Sequence, residues 1–195
     1  MWGYNEYGNL GLSNRIEYSS PVQLPGTDWD YITHASNKGN ATLGRKTDGT
    51  LWSWGYGYAG TLGLNESSGL YYSSPTQIPG TTWKTFSVSY TDTAATKTDG
   101  TLWAWGWNTH GALGQNNRTA YSSPVQVPGT DWDEVVSVRY GTTAIKTEGT
   151  LWSWGYNTNG QLAQDNTTRY SSPVQIPGTW SKVLDAGDWN NMALK

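Results

Sequence analysis

The 195-residue chain has no cysteine, a single phenylalanine and only two histidines, His34 and His110. The missing cysteine removes disulfides and thiolate metal sites and leaves the redox compartment unread. His34 and His110 stand 76 residues apart, so imidazole chemistry has no local pair to build on. Charge is scarce as well, at 14% of residues with a net charge of −3, and Lys and Arg do not cluster. That distribution shows no electrostatic footprint for acidic lipid or nucleic acid, and nucleic acid is not expected as a partner. No apolar run approaches the ~20 residues needed to span a bilayer, and the N-terminus lacks the basic and apolar regions of a signal peptide. Membrane insertion is therefore not expected, and the sequence assigns no compartment.

What the chain does hold is 13 Trp, 13 Tyr and 24 Gly. Large rings beside many glycines fit short strands joined by tight turns, with the rings as packing units. Their placement is periodic. Trp-Gly pairs begin at Trp2, Trp54, Trp105 and Trp154, at spacings of 52, 51 and 49. Tyr-Ser-Ser-Pro keeps the same beat, starting at Tyr18, Tyr72, Tyr121 and Tyr170, and each is followed by a Pro-Gly-Thr and a closing tryptophan, Trp29, Trp83, Trp132 or Trp180. With Trp52, Trp103 and Trp152, these positions hold 11 of the 13 tryptophans; only Trp107 and Trp189 fall outside. Tryptophan is mainly a building material here. The units run approximately over residues 2–53, 54–104, 105–153 and 154–195, a single repeat domain.

Within a unit the strand signal recurs every few residues. Residues 150–154 (TLWSW) and 143–146 (TAIK) flank the hairpin turn Thr147-Glu148-Gly149, where glycine supplies positive φ. Val135-Val136-Ser137-Val138 is a β-branched third strand, and Pro124-Val125-Gln126-Val127-Pro128 is a short fourth. Proline cannot donate to a ladder, which places that fourth strand at an outer edge. Four short antiparallel strands per unit of about 50 residues is the pattern of a propeller blade. The expected fold is all-β, a β-propeller of about four four-stranded antiparallel blades.

Two departures stand out. The first unit carries Asn37-Lys38-Gly39-Asn40 and Gly44-Arg45 where its siblings have a clean strand pattern, which suggests a bulge or widened turn. The fourth has Ala163 where the others have Gly11, Gly63 and Gly114, so a positive φ there would make its loop strained or differently built.

These residues resemble the regulator of chromosome condensation repeat. Residues 105–115 (WGWNTHGALGQ) follow that family's Trp-Gly-x-Asn-x-x-Gly-x-Leu-Gly segment, and residues 185–194 (DAGDWNNMAL) follow its later part, with Asn190 where the family often has His. The resemblance implies a propeller and covers essentially the whole chain. Family members usually close about seven blades, and this chain supplies about four units. An incomplete ring or arc is therefore one expected outcome, beside a four-bladed ring and two arcs joined as eight blades. Unpaired blade edges would invite self-association or a protein partner. The family's best-known activity, nucleotide exchange on a small nuclear GTPase with nucleosome binding, relies on an inserted wedge and a basic tail, and neither is present. The Gly-Trp-Arg-His-Thr signature of its light-sensing members is absent too.

Catalysis is not expected, and no cofactor or metal is. Asp48, Asp99 and Glu148 sit one per unit in the hairpin turns, where acidic side chains serve the backbone and do not converge as a pair. Recognition by loops on a rigid scaffold remains. The slot before the loop glycine varies as Tyr7, Ala59, His110 and Asn159, with Tyr58 and Trp107 nearby. Tyr7, Tyr58, Trp107, His110 and Asn159 are thus the candidate ligand or partner positions, set against the plainer alternative of solvated loop tips. The expected function is a non-enzymatic binding or structural module, with near-uniform repeats suggesting a bacterial or viral surface or assembly component. A GTPase regulator and a glycan-binding lectin are the alternatives.

Overall fold

Each Lys-Thr-Asp/Glu-Gly turn folds the chain back on itself, and successive turns stack short strands into sheets. The computed structural model describes residues 1–35, 40–66, 69–185 and 191–195. Among these, β1 (Trp29–His34), β2 (Ala41–Lys46), β3 (Leu51–Gly57) and β4 (Leu70–Gln77) form the first antiparallel sheet, in that order. The second holds β5 (Trp83–Val88), β6 (Asp92–Lys97), β7 (Leu102–Gly106) and β8 (Tyr121–Val127). The third holds β9 (Trp132–Val138), β10 (Gly141–Lys146), β11 (Leu151–Gly155) and β12 (Tyr170–Ile176), and β13 (Lys182–Asp185) pairs with β14 (Asn191–Leu194). The architecture is an incomplete β-propeller of three four-stranded blades and a two-stranded sheet. Pro75, Pro124 and Pro173 lie on β4, β8 and β12, each at the edge of its sheet, where a missing N–H costs no ladder bond.

The sheets begin half a unit later than the sequence repeat, because a Trp-Gly strand pairs with the Pro strand that follows it. The β3–β4, β7–β8 and β11–β12 ladders all shift register at the Trp-Gly step. Gly55, Gly106 and Gly155 take φ of 92°, 110° and 108° there, and a Cβ would come within 2.0, 2.5 and 2.3 Å of the carbonyl oxygens of Asn40, Thr91 and Tyr140. Only glycine permits that approach.

The rest of the turn segment is accounted for just as locally. Lys97 places Nζ 4.6 Å from the ring centres of both Trp83 and Trp103, and Lys46 and Lys146 lie 4.6–5.5 Å from those of Trp29/Trp52 and Trp132/Trp152. Asp99 accepts from the Thr101 N–H at 3.0 Å and hydroxyl at 2.7 Å, and Thr101 Oγ1 accepts from the Trp103 indole at 2.9 Å. Those hydrogen bonds hold the Asp99 and Asp48 carboxyls below the usual carboxylate range.

The cores lie between sheets. Leu43 and Leu51 of the first sheet, with Ile78 just beyond β4, pack with Trp83, Phe86 and Trp105 of the second, and Leu102, Ala104 and Val127 of the second with Trp132, Val135 and Trp154 of the third. Each Trp-Gly tryptophan also ties its sheet to the loop before it: Trp54, Trp105 and Trp154 donate to the carbonyls of Asn9, Thr61 and Ala112 at 3.0, 2.9 and 2.7 Å.

Two expectations change. Gly44-Arg45 lies in regular β1–β2 register, with Ile32 opposite Gly44, and the register shift falls instead between Trp29 and Tyr31. Gly44 is there for space, since a Cβ would sit 2.9 and 3.0 Å from the rings of Trp54 and Trp29. The expected bulge at Asn37–Gly39 and the Asn190 match lie outside the described residues. Ala163 does take positive φ, 53°, and its loop keeps the bond made at the glycine sites, Ala163 N–H to the Gly160 carbonyl at 3.1 Å. The loop is built as the others are, and it is strained.

Candidate functional site

In three of the four units a buried asparagine pins the loop after Trp-Gly from inside. Asn108, 1% exposed, accepts from the Leu113 N–H at 3.0 Å and donates to the carbonyls of Asn117 and Thr119 at 3.1 and 2.9 Å. Asn5 and Asn157 repeat the arrangement. In the second unit the position is Gly57, and there the hairpin simply runs on, pairing Tyr56 with Tyr71 and Gly57 with Leu70. A three-residue 3-10 turn, Tyr58–Gly60, follows.

This framework gathers aromatic side chains on the loop side of the blades. In a first group, Tyr7 lies 5.2 Å from Tyr56 and 5.6 Å from Tyr71, Tyr56 lies 5.4 Å from Tyr71, and Tyr4 joins edge-on at 6.0 Å from Tyr7. Tyr58 extends the group, 6.4 Å from Tyr56 and stacked 5.1 Å from Tyr90. In a second group His110 sits 5.4 Å from Trp107, 4.8 Å from Tyr140 and 5.0 Å from Tyr156, all edge-on. Arg139 links the two: its guanidinium carbon lies 5.4 Å from the Tyr90 ring centre and 5.1 Å from that of Tyr140. Arg15 over Tyr71 at 5.2 Å and Arg169 over Tyr156 at 4.6 Å cap the groups. The result is one belt of rings across the loops of successive units.

Of the five sequence candidates, the structure places Tyr7 and Tyr58 in the first group and Trp107 and His110 in the second. Asn159 does not join; it is exposed at its loop tip, with its N–H donated to Gln161 Oε1 at 3.0 Å. Tyr4, Tyr56, Tyr71, Tyr90, Tyr140, Tyr156 and Arg139 complete the belt and are not among those candidates. A signal for some of them was available, because the residue after Trp-Gly is aromatic in every unit: Tyr4, Tyr56, Trp107, Tyr156.

Three of the belt's side chains, His110, Tyr4 and Tyr56, are shifted toward their neutral forms. Burial lowers the His110 imidazole below its ordinary range, and the Arg169 and Arg118 charges push the same way. Arg169 Nη1 lies 3.2 Å from His110 Nδ1, which a neutral ring can satisfy as acceptor. The Tyr4 hydroxyl donates to the Glu6 carboxylate, and this bond raises the phenol above its usual value; burial does the same for Tyr56. Below Tyr90, Asp92 is fully buried where Ala41 and Gly141 stand in the neighbouring blades, accepting from Ser89 Oγ at 2.9 Å and Thr91 Oγ1 at 2.8 Å. Burial outweighs those bonds and pushes its carboxyl up to about 7.

Two cavities accompany this surface. One, of about 490 Å³, is bounded by Tyr4, Tyr7, Asn40, Tyr56, Tyr71 and Tyr90. The other, also about 490 Å³, runs along the inner strands β1, β5, β9 and β13, and the Lys84–Asp133 ion pair of adjacent blades stands beside it. Among the described residues no three His, Cys, Asp or Glu side chains come together as metal ligands.

Comparison with known proteins agrees with the sheet geometry. Residues 99–144 and 148–194 match the family model of the Regulator of chromosome condensation (RCC1) repeat, and a second model of that repeat matches residues 133–161. The ultraviolet-B receptor UVR8 of Arabidopsis thaliana is 33% identical over 66 residues, which cover 34% of this chain and 15% of the receptor. Human WBSCR16 superimposes with a TM-score of 0.78 at 20% identity over 97% of this chain and 50% of its own. Prp20p of Saccharomyces cerevisiae does so with a TM-score of 0.80 at 17% identity, over 98% of this chain and 50% of its own. The chain thus spans about half the length of these solved structures, and at such identities the likeness is one of fold.

Proposed function

Because the chain is built of regulator of chromosome condensation-like repeats, we propose that it is a non-enzymatic recognition module whose contact surface is the aromatic belt on its loop side. The observation that carries this reading is the continuity of the belt through Arg139, between Tyr90 and Tyr140. Tyrosine, tryptophan and arginine supply large contact areas with few rotatable bonds, and they dominate recognition surfaces for that reason. Here the belt is anchored by buried asparagines and strand ladders, so little ordering is left for binding to impose. Crosslinking tests it. A photoreactive side chain at Tyr58 or Trp107 should capture a bound molecule in the source cells, while one at Asn159 should not. Capture at Asn159 with none at either belt position would overturn the assignment.

A second reading, regulation of a small GTPase, takes its support from the likeness in fold to Prp20p, which is described with binding to Gsp1p and histones. The likeness covers the scaffold and half of that protein's length. Accelerated release of labelled guanine nucleotide from a GTPase mixed with this chain would favour it over the first.

A further inference from the structure

The cavity in the first aromatic group is walled almost entirely by tyrosine, and that composition restricts what can fill it. Its lining is Tyr4, Tyr7, Tyr56, Tyr71 and Tyr90 with Asn40, around about 490 Å³. We propose that this cavity is a saccharide subsite, taking an uncharged pyranose unit of an oligosaccharide. The proposal rests on the recognition reading above and names its ligand class.

Shape excludes one binding mode, insertion between the rings. Tyr7, Tyr56 and Tyr71 already lie tilted or stacked on one another at 26–35° with centres 5.2–5.6 Å apart. A planar base inserted among them would have to part rings that are held by the β3–β4 ladder, in which Tyr56 pairs with Tyr71. A ligand therefore lies against Tyr4 and the exposed edge of Tyr71, side chains that are 47% and 49% exposed. Charge narrows the ligand class. Arg15 already occupies a face of Tyr71 and Arg139 one of Tyr90, so a cationic ligand meets rings whose partners are taken. The Glu6 carboxylate, beside Tyr4, opposes an anionic one and offsets Arg15, which donates to the Glu6 carbonyl.

Chemistry then selects among uncharged molecules. The raised Tyr4 and Tyr56 phenols stay protonated through the physiological range, so the wall presents neutral hydroxyls beside ring carbon. A wholly apolar ligand would cover the phenol-rimmed wall and strip water from its hydroxyls, which is costly. A pyranose has apolar C–H faces to lie on the rings and hydroxyls around its rim to exchange hydrogen bonds with phenols and Asn40.

The test is a glycan array carrying neutral, carboxylated and sulfated saccharides, followed by titration calorimetry with the best-retained neutral oligosaccharide. Retention of uncharged glycans is expected, with affinity falling about tenfold or more in Tyr71→Ala and unchanged in Asn159→Ala. Because Tyr71 is half exposed, its truncation should leave the near-ultraviolet circular dichroism intact; Tyr71→Phe, which keeps the ring, serves as a second variant that retains most of the affinity. No retention across the array overturns the proposal, as does binding confined to charged glycans or an affinity indifferent to Tyr71→Ala. A protein captured at Tyr58 with no glycan retained overturns this inference and leaves the recognition reading standing.

Discussion

Trp105 donates its indole N–H to the carbonyl of Thr61 across 44 residues of sequence, at 2.9 Å, with the ring fully buried. The same carbonyl accepts the Thr93 hydroxyl at 2.9 Å, so two groups of the second sheet fasten one loop of the first. Trp105→Phe keeps most of the ring volume and removes one bond, and it should cost about 1–2 kcal/mol in chemical denaturation. Trp105→Ala should cost about 3–5 kcal/mol, because it also opens a cavity between sheets. Trp107→Ala, two residues on and half exposed, should cost about 1 kcal/mol or less. A Trp107→Ala penalty as large as that of Trp105→Ala would place Trp107 among the building tryptophans and out of the recognition surface.

Asn108 makes a different kind of bond, within its own loop. Asn108→Ala would leave the Leu113 N–H and the Asn117 and Thr119 carbonyls without their partner in a buried loop base. About 2–4 kcal/mol should be lost. The Trp107–His110 contact above that loop should loosen as well, seen as sharpened, shifted His110 ring resonances. Asn108→Gly is not rescued by analogy with Gly57, because the second unit compensates with extra β3–β4 pairing that the third lacks.

How much of this could be read from the chain depends on which residues repeat. The strands, their turns and the outward Pro strands follow from markers that recur four times, and the β-propeller follows from them. The half-unit offset of the sheets was not legible, because markers that recur with one period do not say whether a Pro strand pairs with the strand before it or the one after. The belt was half legible. Tyr7, Tyr58, Trp107 and His110 differ from their counterparts in other units and stand out for that, whereas Tyr4, Tyr56 and Tyr156 are the same residue in the slot after Trp-Gly and show no difference to read. Tyr90 and Tyr140 lie between paired strands, β5–β6 and β9–β10, where a single tyrosine carries no signal. Arg139 gains its place only when two blades are set side by side.

Asp92 ties a pH dependence to the second blade. Its carboxyl is raised from 3.8 to about 7 by burial. Below pH ~4 it is protonated whether the chain is folded or not, and its contribution to stability is then fully present. As pH rises toward 7 the unfolded chain releases the proton and the folded one holds it, so stability falls across that window. Hydrogen bonds from Thr91, Ser89 and Ser137 pull the other way, and burial outweighs all three. The melting temperature should therefore be higher at pH 5 than at pH 8, and Asp92→Asn should flatten the difference. A wild-type profile with no slope between those values would count against a buried, raised Asp92.

His110 should titrate below the ordinary histidine range, since burial, Arg169 and Arg118 all disfavour its charged form. Arg169→Gln removes one nearby cation and the Nη1 contact with Nδ1, and it should move the midpoint upward. Proton NMR of the ring reads both directly, because His34 gives the only other such signal. A midpoint at or above the usual value in the unaltered protein would show the imidazole facing water and out of the belt.

Ala163 tests how each loop meets the sheet that follows it. Gly11, Gly63 and Gly114 hold φ of 69°, 71° and 67°, and a Cβ on each would fall 2.8, 2.7 and 2.9 Å from the indole nitrogens of Trp54, Trp105 and Trp154. Those glycines answer two demands, backbone and space. Ala163 keeps the same backbone at φ 53° but is exposed, so only the first demand applies. Ala163→Gly should relieve left-handed strain of about 1 kcal/mol and return part of that gain to a more flexible unfolded chain, for a net rise of about 0.5 kcal/mol. Gly114→Ala should cost more than twice that strain, because the Trp154 indole must move from its bond with Ala112. Paired denaturation curves for the two variants decide the matter. Equal and opposite effects would mean that conformation alone governs the site, and that the tryptophan clash contributes nothing.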